Sequence, residues 1–269
     1  MSSRNWKNWP KNAYSSLSQA GGFLGIAGIV VSVVGVAASA PVAIVVGVAT
    51  IGVTSGYALI AGYTEKLIDP NMHVGKKITL KEVLNLSEDI LQIGIFGASS
   101  SGKSTFLEHA ITSDKIVPVT HDISATIVSL QTNPPKKIAL LDGDGKNLSQ
   151  QFKVVKHADT LFVFLDHNAG SSEKVILKER LYKHEEYLKQ LQEYLKEEVV
   201  DIFKQIHFVL NKRDLWEDSS DKQMLLDWFN QIVNNWTTSN FSKKVTSSHH
   251  SNIYTHDINI LMNIIISIR

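Results

Sequence analysis

The sequence predicts an α/β domain with a mostly parallel central sheet flanked by helices, preceded by an all-α pair of membrane-spanning helices. Residues 12–64 contain no charged side chain, residues beyond Leu91 alternate short apolar runs with longer amphipathic ones, and the glycine-rich loop GASSSGKST lies at 97–105. Strands that alternate with helices are typical of a parallel sheet. The chain therefore divides into an N-terminal cytosolic segment at 1–16, a transmembrane helical hairpin at 17–63, a connector at 64–90 and the α/β domain at 91–269.

Charge is distributed unevenly along the 269 residues, which carry 27 Lys and Arg against 26 Asp and Glu, a net charge of +1. Every acidic residue lies at or beyond Glu65, and the basic residues before it are Arg4, Lys7 and Lys11. The sequence shows no clustered Lys and Arg of the kind that phosphate backbones require, so no nucleic-acid partner is expected. The absence of cysteine excludes disulfides, thiolate metal sites and thiol nucleophiles.

The uncharged stretch is long enough for two membrane crossings, because about 20 apolar residues span a hydrocarbon core of about 30 Å. Residues 17–38 and 42–63 each suffice, and Pro41 between them suits the start of a second helix. Both ends of a hairpin lie on one side of the bilayer, and the basic residues before it favour the cytoplasmic side. The prediction is an integral membrane protein whose α/β domain faces the cytoplasm. A hairpin that only dips into the bilayer, a buried soluble hairpin and a cleaved signal peptide are the alternatives.

The connector at 64–90 mixes charged residues with Pro and Gly and then becomes amphipathic, which predicts a short helix. Beyond it, apolar runs predict strands at 91–96, 124–131, 136–141, 160–166, 206–211 and 243–248. Segments with helical periodicity predict helices at 104–111, 150–157, 175–200, 222–236 and 253–268.

The glycine-rich loop follows the first of these strands and opens a helix. Gly97, Gly102, Lys103 and Ser104 fit the pattern G-x-x-x-x-G-K-[ST]. The glycines permit a backbone whose N–H groups point at phosphate oxygens, and Lys103 reaches the β- and γ-phosphates as a catalytic group. The Ser104 hydroxyl is a candidate ligand of Mg²⁺. The other candidate nucleotide-binding residues of the loop are Ser100, Ser101 and Thr105.

Two further motifs follow the ends of predicted strands. Asp142 and Gly145 fit D-x-x-G, in which the carboxylate is held near Mg²⁺ and the glycine N–H approaches the γ-phosphate. Asn211, Lys212 and Asp214 fit N-K-x-D. With the glycine-rich loop, these motifs resemble those of the P-loop GTPase superfamily, in the manner of Ras-like and translation-factor-class G domains, and the resemblance covers 91–269.

The N-K-x-D motif indicates guanine, because a carboxylate at Asp214 accepts from both the ring N–H and the exocyclic amine of that base. Adenine presents a ring acceptor there, and a site built on such buried hydrogen bonds rejects the wrong base by about 10⁴ or more. The resemblance implies that Asn211 braces the loop and that the stem of Lys212 lies along the base. It also places the last guanine-contacting loop in KVTSSHH, with Ser247 and Ser248 in contact with the base.

The resemblance further implies Mg²⁺ as cofactor, GTP as substrate and GDP as product. The Mg²⁺ ligands would be Ser104, Asp142 and a switch threonine. Thr120, which follows a proline in IVPVTHD, is favoured as this metal-binding and catalytic threonine, with Thr126 as the alternative.

The chain departs from the family at Lys146, where the catalytic glutamine follows D-x-x-G in those members that have one. The water-positioning group is therefore open, with Gln150 and Gln151 as candidates. The expectation is a GTPase whose hydrolysis is slow or stimulated by a partner.

These observations favour a membrane-anchored GTPase that acts as a molecular switch with a protein effector or an activating partner. The layout of anchor and G domain resembles that of the receptor subunit that docks signal-recognition particles at membranes. The alternatives are a dynamin-like or immunity-related membrane-remodelling GTPase that forms a G-domain homodimer, and a nucleotide-stabilised membrane scaffold with little hydrolysis. Asp166 and His167, at the end of another predicted strand, are expected to be structural.

Overall fold

The computed structural model describes residues 67–110, 123–170, 172–197 and 203–268. The predicted hairpin at 17–63 and the switch candidate Thr120 lie outside these residues. Backbone contacts divide the chain into two compact units, Met1–Ile68 with Asn85–Asp89, and Asp69–Leu84 with Ile90–Arg269. Across the described residues, no helix combines the length and the apolar character that a membrane crossing needs.

A seven-stranded sheet with the strand order β1-β3-β4-β2-β5-β6-β7 forms the centre of the second unit. β1 is antiparallel to β3 and β3 is antiparallel to β4, whereas the other neighbouring strands run parallel. The predicted α/β class with a mostly parallel sheet is therefore confirmed. The strands are β1 (Lys77–Thr79), β2 (Leu91–Phe96), β3 (Ser124–Leu130), β4 (Lys136–Asp142), β5 (Thr160–Leu165), β6 (Gln205–Leu210) and β7 (Val245–His249).

The connector contains more structure than its sequence predicts. It begins with a short 3₁₀ helix at Pro70–His73, continues into β1 and ends in the predicted short helix, α1 (Leu80–Leu84). Ile78 of β1 is buried and lies opposite Ala125 of β3. A strand of three residues is too short to show an alternating pattern, which is why the sequence does not predict it.

Helices connect the parallel strands. The helix that follows β2 begins at the end of the glycine-rich loop, and the helix that follows β4 begins shortly after the D-x-x-G motif. Asn147 caps the second of these helices, because its side chain accepts from the backbone N–H of Gln150 at 3.3 Å. The helices are α2 (Lys103–Ala110), α3 (Leu148–His157), α4 (Lys178–Glu197), α5 (Arg213–Trp216), α6 (Lys222–Thr237) and α7 (Thr255–Ser267).

Two apolar clusters cover the two faces of the sheet. β5 and β6 are buried along their whole length, which agrees with the apolar run LFVFL in β5 and with the apolar end FVL of β6. One face packs against α4 and α6, with Leu188, Leu191, Phe229 and Trp236 in the cluster. The other packs against α2 and α7, with Phe106, Leu107, Leu261 and Ile265.

The parallel arrangement brings the motifs together. Because β2, β4, β5, β6 and β7 run in one direction, their carboxyl ends meet at the same edge of the sheet. The glycine-rich loop, D-x-x-G and N-K-x-D each follow one of these ends, so the fold gathers all three at one edge.

Candidate functional site

The backbone of the glycine-rich loop requires glycine at two positions. Gly97 has φ of 149° and Gly102 has φ of 91°, and Ser100 between them is also left-handed at 66°. A Cβ on Gly97 would lie 2.5 Å from the carbonyl oxygen of Phe164, and a Cβ on Gly102 would overlap the side-chain amide of Asn211. Left-handed residues within a loop allow successive N–H groups to converge on an anion.

Lys103 is folded back onto this loop. Its ammonium donates to the carbonyl oxygens of Gly97 at 2.7 Å and Ala98 at 2.9 Å, and the side chain is 6% exposed. Burial lowers the pKa of Lys103 to about 8, against the opposing effect of the negative charge of Asp142. The ammonium is therefore mostly protonated at neutral pH, in the position where the motif needs a cation.

Asp142, at the end of β4, fits a cation ligand. It is 8% exposed, and its Oδ1 atom is buried without a hydrogen-bond partner among the described residues. Burial raises the pKa of Asp142, while the charges of Lys103 and Lys77 act in the opposite direction. A buried carboxylate oxygen without a donor is suited to a hard cation such as Mg²⁺. Ser104 is exposed in the first turn of α2 and is free to supply a second oxygen.

The D-x-x-G loop lies against the glycine-rich loop. A Cβ on Gly145 would lie 2.7 Å from Nζ of Lys103 and 2.9 Å from the backbone nitrogen of Ser99. The fold therefore brings Gly145 within close reach of the residues expected at the terminal phosphate. Nothing larger than glycine fits at position 145 in this conformation.

Gln151 joins the two loops and is fully buried. Its Oε1 accepts from the backbone N–H of Gly97 at 3.2 Å, and its Nε2 donates to the carbonyl of Gly143 at 2.7 Å. With both ends of the amide engaged, Gln151 cannot position a water molecule in this conformation, which corrects its candidacy for that role. Oε1 of Gln150 accepts from the backbone N–H of Asp144 at 3.1 Å.

The N-K-x-D motif is attached to the glycine-rich loop. Nδ2 of Asn211 donates to the carbonyl of Ser101 at 2.8 Å, and the indole of Trp216 donates to the carbonyl of Asn211 at 2.9 Å. Nζ of Lys212 contacts the carbonyls of Asn168 and Gly170, at 2.6 Å and 3.0 Å. The glycine-rich loop and N-K-x-D are therefore held together by a direct hydrogen bond.

Ser247 and Ser248 do not lie in a loop, which corrects the predicted position of the last base-contacting segment. Both are within β7, where the Oγ of Ser248 hydrogen-bonds to Nε2 of His207 at 2.9 Å. The strand extends to His249, but its serine-rich composition resembles that of a loop. The turn that follows it holds Ser251, whose hydroxyl donates to the carboxylate of Asp214.

This turn is fixed on both sides. Nδ2 of Asn252 donates to the carbonyl of Gly102 at 2.9 Å, and the backbone N–H of Ser251 donates to Oδ2 of Asp257 at 2.8 Å. In the sequence, Ser251 lies two residues beyond the end of β7, and it is easily confused with the Ser-Ser pair inside that strand.

A buried carboxylate beside the site holds three basic side chains. Asp166 is fully buried, and it meets Nε of Arg180 at 2.7 Å, Nε2 of His184 at 2.7 Å and Nζ of Lys212 at 2.8 Å. Burial alone would raise the pKa of Asp166, but its interactions with His184 and Arg180 lower it to about 2. Nη2 of Arg180 also donates to the carbonyl of Ser99 at 2.9 Å. The sequence does not indicate Arg180, because a single arginine on a helix has no motif.

His167 has the structural role expected of it, since its Nε2 lies 2.8 Å from the carbonyl oxygen of Glu173. Thr105 is exposed on α2. Of the other residues selected from the sequence, Thr120 lies outside the described residues, and Thr126 pairs with Lys77 and Leu140 inside the sheet. The residues that the fold gathers at this edge are Gly97, Ser100, Ser101, Gly102, Lys103, Ser104, Asp142, Gly145, Asn211, Lys212 and Asp214.

Comparisons with known proteins agree with this arrangement. Residues 92–212 match the family model described as 50S ribosome-binding GTPase, a range that begins in β2 and ends within N-K-x-D. No curated protein matches the chain.

Several solved structures are similar to the chain at low identity. The mammalian signal-recognition-particle receptor is 17% identical, with 66% of this chain and 100% of that one covered and a TM-score of 0.48. Nucleolar GTP-binding protein 1 of Plasmodium falciparum is 16% identical, with 66% and 86% covered and a TM-score of 0.45. The bacterial selenocysteine-specific elongation factor EF-Sec is 16% identical, with 67% of this chain but 29% of that one covered and a TM-score of 0.44.

Proposed function

We propose that this chain, whose α/β unit is a G domain of the P-loop GTPase class, binds GTP with Mg²⁺ and hydrolyses it to GDP as a molecular switch. The observation that carries the proposal is the hydrogen bond from Asn211 to the carbonyl of Ser101. This bond ties the base-reading motif to the phosphate-binding loop, as a site for one nucleotide requires. Neither motif alone would distinguish a GTPase from other P-loop proteins.

Base selection rests on the carboxylate of Asp214. The hydroxyl of Ser251 donates to Oδ1 of this carboxylate and so orients it. Guanine donates two N–H groups to such a carboxylate, whereas adenine presents a ring acceptor and leaves the carboxylate with Ser251 but without a donor from the base. A polar group that loses its partner costs about 1–3 kcal/mol, and a charged group such as a carboxylate costs more, which is the physical source of the preference for GTP.

At the phosphate end, Lys103 and the backbone of the glycine-rich loop bind the β- and γ-phosphates, and the N–H of Gly145 approaches the γ-phosphate. Asp142, Ser104 and Thr120 would hold Mg²⁺, which neutralises phosphate charge when it is bound. Lys146 is exposed and its backbone N–H donates to Asp144 at 2.9 Å. Because Lys146 replaces a glutamine, we infer that hydrolysis is slow or is stimulated by a protein partner or by a second copy of the G domain.

We further propose that the uncharged residues 17–63 anchor the chain in a lipid bilayer with the G domain in the cytoplasm. The proposal rests on the length and composition of this stretch and on the basic residues that precede it. An anchored switch would act through an effector at the membrane surface.

Nucleotide binding by the full chain in detergent tests the base-reading part of the proposal. We expect Mg²⁺·GTP to bind at least about 10³-fold more tightly than Mg²⁺·ATP, because adenine leaves Asp214 without a donor from the base. The substitution Asp214→Asn should remove most of this preference and should favour xanthosine triphosphate, whose carbonyl accepts from the new amide. Asp218→Asn, on an exposed side chain after α5, is the matched control. Equal binding of ATP by the unaltered chain would refute the assignment.

A further inference from the structure

Arg180 is the one basic side chain among the described residues that joins the glycine-rich loop to the buried carboxylate of Asp166. It lies in the first turn of α4 and is 6% exposed. Its Nε donates to Oδ1 of Asp166 at 2.7 Å, and its Nη2 donates to the carbonyl of Ser99 at 2.9 Å. An arginine so deeply buried carries a large desolvation cost, which an exposed surface position would avoid.

Ser99, whose carbonyl accepts from Arg180, lies at the phosphate end of the proposed site. A Cβ on Gly145 would be 2.9 Å from the nitrogen of Ser99 and 2.7 Å from Nζ of Lys103, so these three residues surround one point. Arg180 donates a hydrogen bond to the carbonyl of the same Ser99.

GTP hydrolysis requires positive charge at this point. Water attacks the γ-phosphorus, the bond to the β–γ bridging oxygen breaks, and the products are GDP, inorganic phosphate and a proton. Negative charge grows on the bridging oxygen as that bond breaks, and an arginine supplied to it accelerates the reaction by about 10³–10⁵-fold in GTPases that have one. Lys146 occupies the sequence position of the family's catalytic glutamine, so another side chain would have to stabilise the transition state in this chain.

We propose that Arg180 is a catalytic cation supplied by the chain itself, which donates hydrogen bonds to the β- and γ-phosphate oxygens as the transition state forms. This inference rests on the proposed GTPase function. Arg180 transfers no proton and acts only through its charge and its N–H groups. Before nucleotide binds, Asp166 holds the guanidinium beside Ser99. When Arg180 turns towards the nucleotide, the carboxylate of Asp166 remains in contact with His184 and Lys212.

The test compares Arg180→Met and Arg180→Lys with Lys183→Gln in the full chain with Mg²⁺. Lys183 is exposed on the same helix, so its substitution removes one positive charge away from the site. The readouts are the single-turnover rate of GTP hydrolysis, the Kd for GDP, and the Kd for GDP in the presence of aluminium fluoride, which mimics the transferring phosphoryl group.

We expect Arg180→Met to lower the hydrolysis rate by about 10²-fold or more while the Kd for GDP changes less than threefold. The extra affinity that aluminium fluoride confers should be lost as well, because it depends on contacts made in the transition state. Arg180→Lys should recover only part of the rate, since an ammonium cannot reproduce the planar fork of the guanidinium. Lys183→Gln should behave as the unaltered chain.

Three results would overturn the inference. If Arg180→Met hydrolyses GTP at the original rate, Arg180 is not catalytic, while the GTPase function stands so long as Lys103→Ala abolishes turnover. If the rate, the GDP affinity and the thermal midpoint fall together in both Arg180 variants, the residue only supports the fold. If the unaltered chain binds GTP but does not hydrolyse it without a partner, Arg180 does not act as a catalytic cation supplied by the chain itself, while the nucleotide-binding part of the proposed function stands.

Discussion

At the scale of single residues, glycine is required at position 102 of the glycine-rich loop for two separable reasons. Gly102 has a left-handed backbone and no space for a side chain, because a Cβ would overlap the amide of Asn211. Gly75 is also left-handed, at a φ of 73°, but no atom lies within 4 Å of the position where its Cβ would be. A side chain at position 75 would therefore cause backbone strain alone, whereas one at position 102 would cause backbone strain and a steric clash.

This contrast predicts different outcomes for the same substitution. Gly75→Ala should cost about 1–2 kcal/mol of unfolding free energy, the penalty of a left-handed alanine, and should leave GTP affinity unchanged. Gly102→Ala should cost more and should weaken GTP binding at least about tenfold, because Asn211 must move away from Ser101. Denaturant unfolding and nucleotide titration measure both quantities. Equal losses of GTP affinity in the two variants would contradict the steric explanation.

At the scale of secondary-structure elements, α5 and α7 together hold the turn that orients Asp214. Nη2 of Arg213 lies 3.0 Å from Oδ1 of Asp257, and its guanidinium carbon lies 5.6 Å from the centre of the Tyr254 ring. Oδ2 of Asp257 accepts from the backbone N–H of Ser251. The first turn of α7 would therefore act on the proposed base recognition through Ser251, and not through a direct contact with the carboxylate of Asp214.

We expect Asp257→Asn to narrow the preference for GTP over inosine triphosphate by about tenfold, the equivalent of about 1.4 kcal/mol. Inosine lacks the exocyclic amine, so inosine triphosphate loses less binding affinity than GTP does when the turn and Asp214 are displaced. The matched control is Glu217→Gln, because Glu217 is the more exposed partner of Arg213, at 3.7 Å from its Nε. Competition binding of the two nucleotides gives the ratio, and an unchanged ratio in Asp257→Asn would show that α7 does not support specificity.

The elements differ in how far the sequence predicts them. The sequence predicts β2, β5 and β6 because buried parallel strands are rich in apolar residues, and it predicts the loops that carry the motifs because their glycines and charges lie at fixed spacing. β7 is half-exposed and rich in serine, so its end is displaced in the prediction. Arg180 and Asp257 come from helices far along the chain, and only the folded sheet shows that they reach the site.

At the scale of the whole molecule, the sequence joins an α/β domain with balanced charge to a stretch without any charge. Residues 1–64 carry Arg4, Lys7 and Lys11 but no acidic side chain, whereas the acidic residues all lie beyond them. This asymmetry is what a cytoplasmic domain held at a membrane by a hairpin would need. It is also the part of the proposal that depends on sequence alone, since residues 17–63 lie outside the described ranges.

Membrane anchoring makes a prediction that is independent of nucleotide chemistry. The full chain should sediment with membranes and resist extraction at alkaline pH, because two apolar helices cannot leave the bilayer without exposing their surface to water. Val31→Arg combined with Val53→Arg should release a large fraction of it, since each arginine near a helix centre costs about 2.5–3.5 kcal/mol on insertion. Ser2→Arg combined with Ser3→Arg adds the same charge outside the predicted hairpin and should leave the chain in the membrane fraction. If the unaltered chain is fully extracted at alkaline pH, the hairpin does not span the bilayer and the switch must reach its partners by another route.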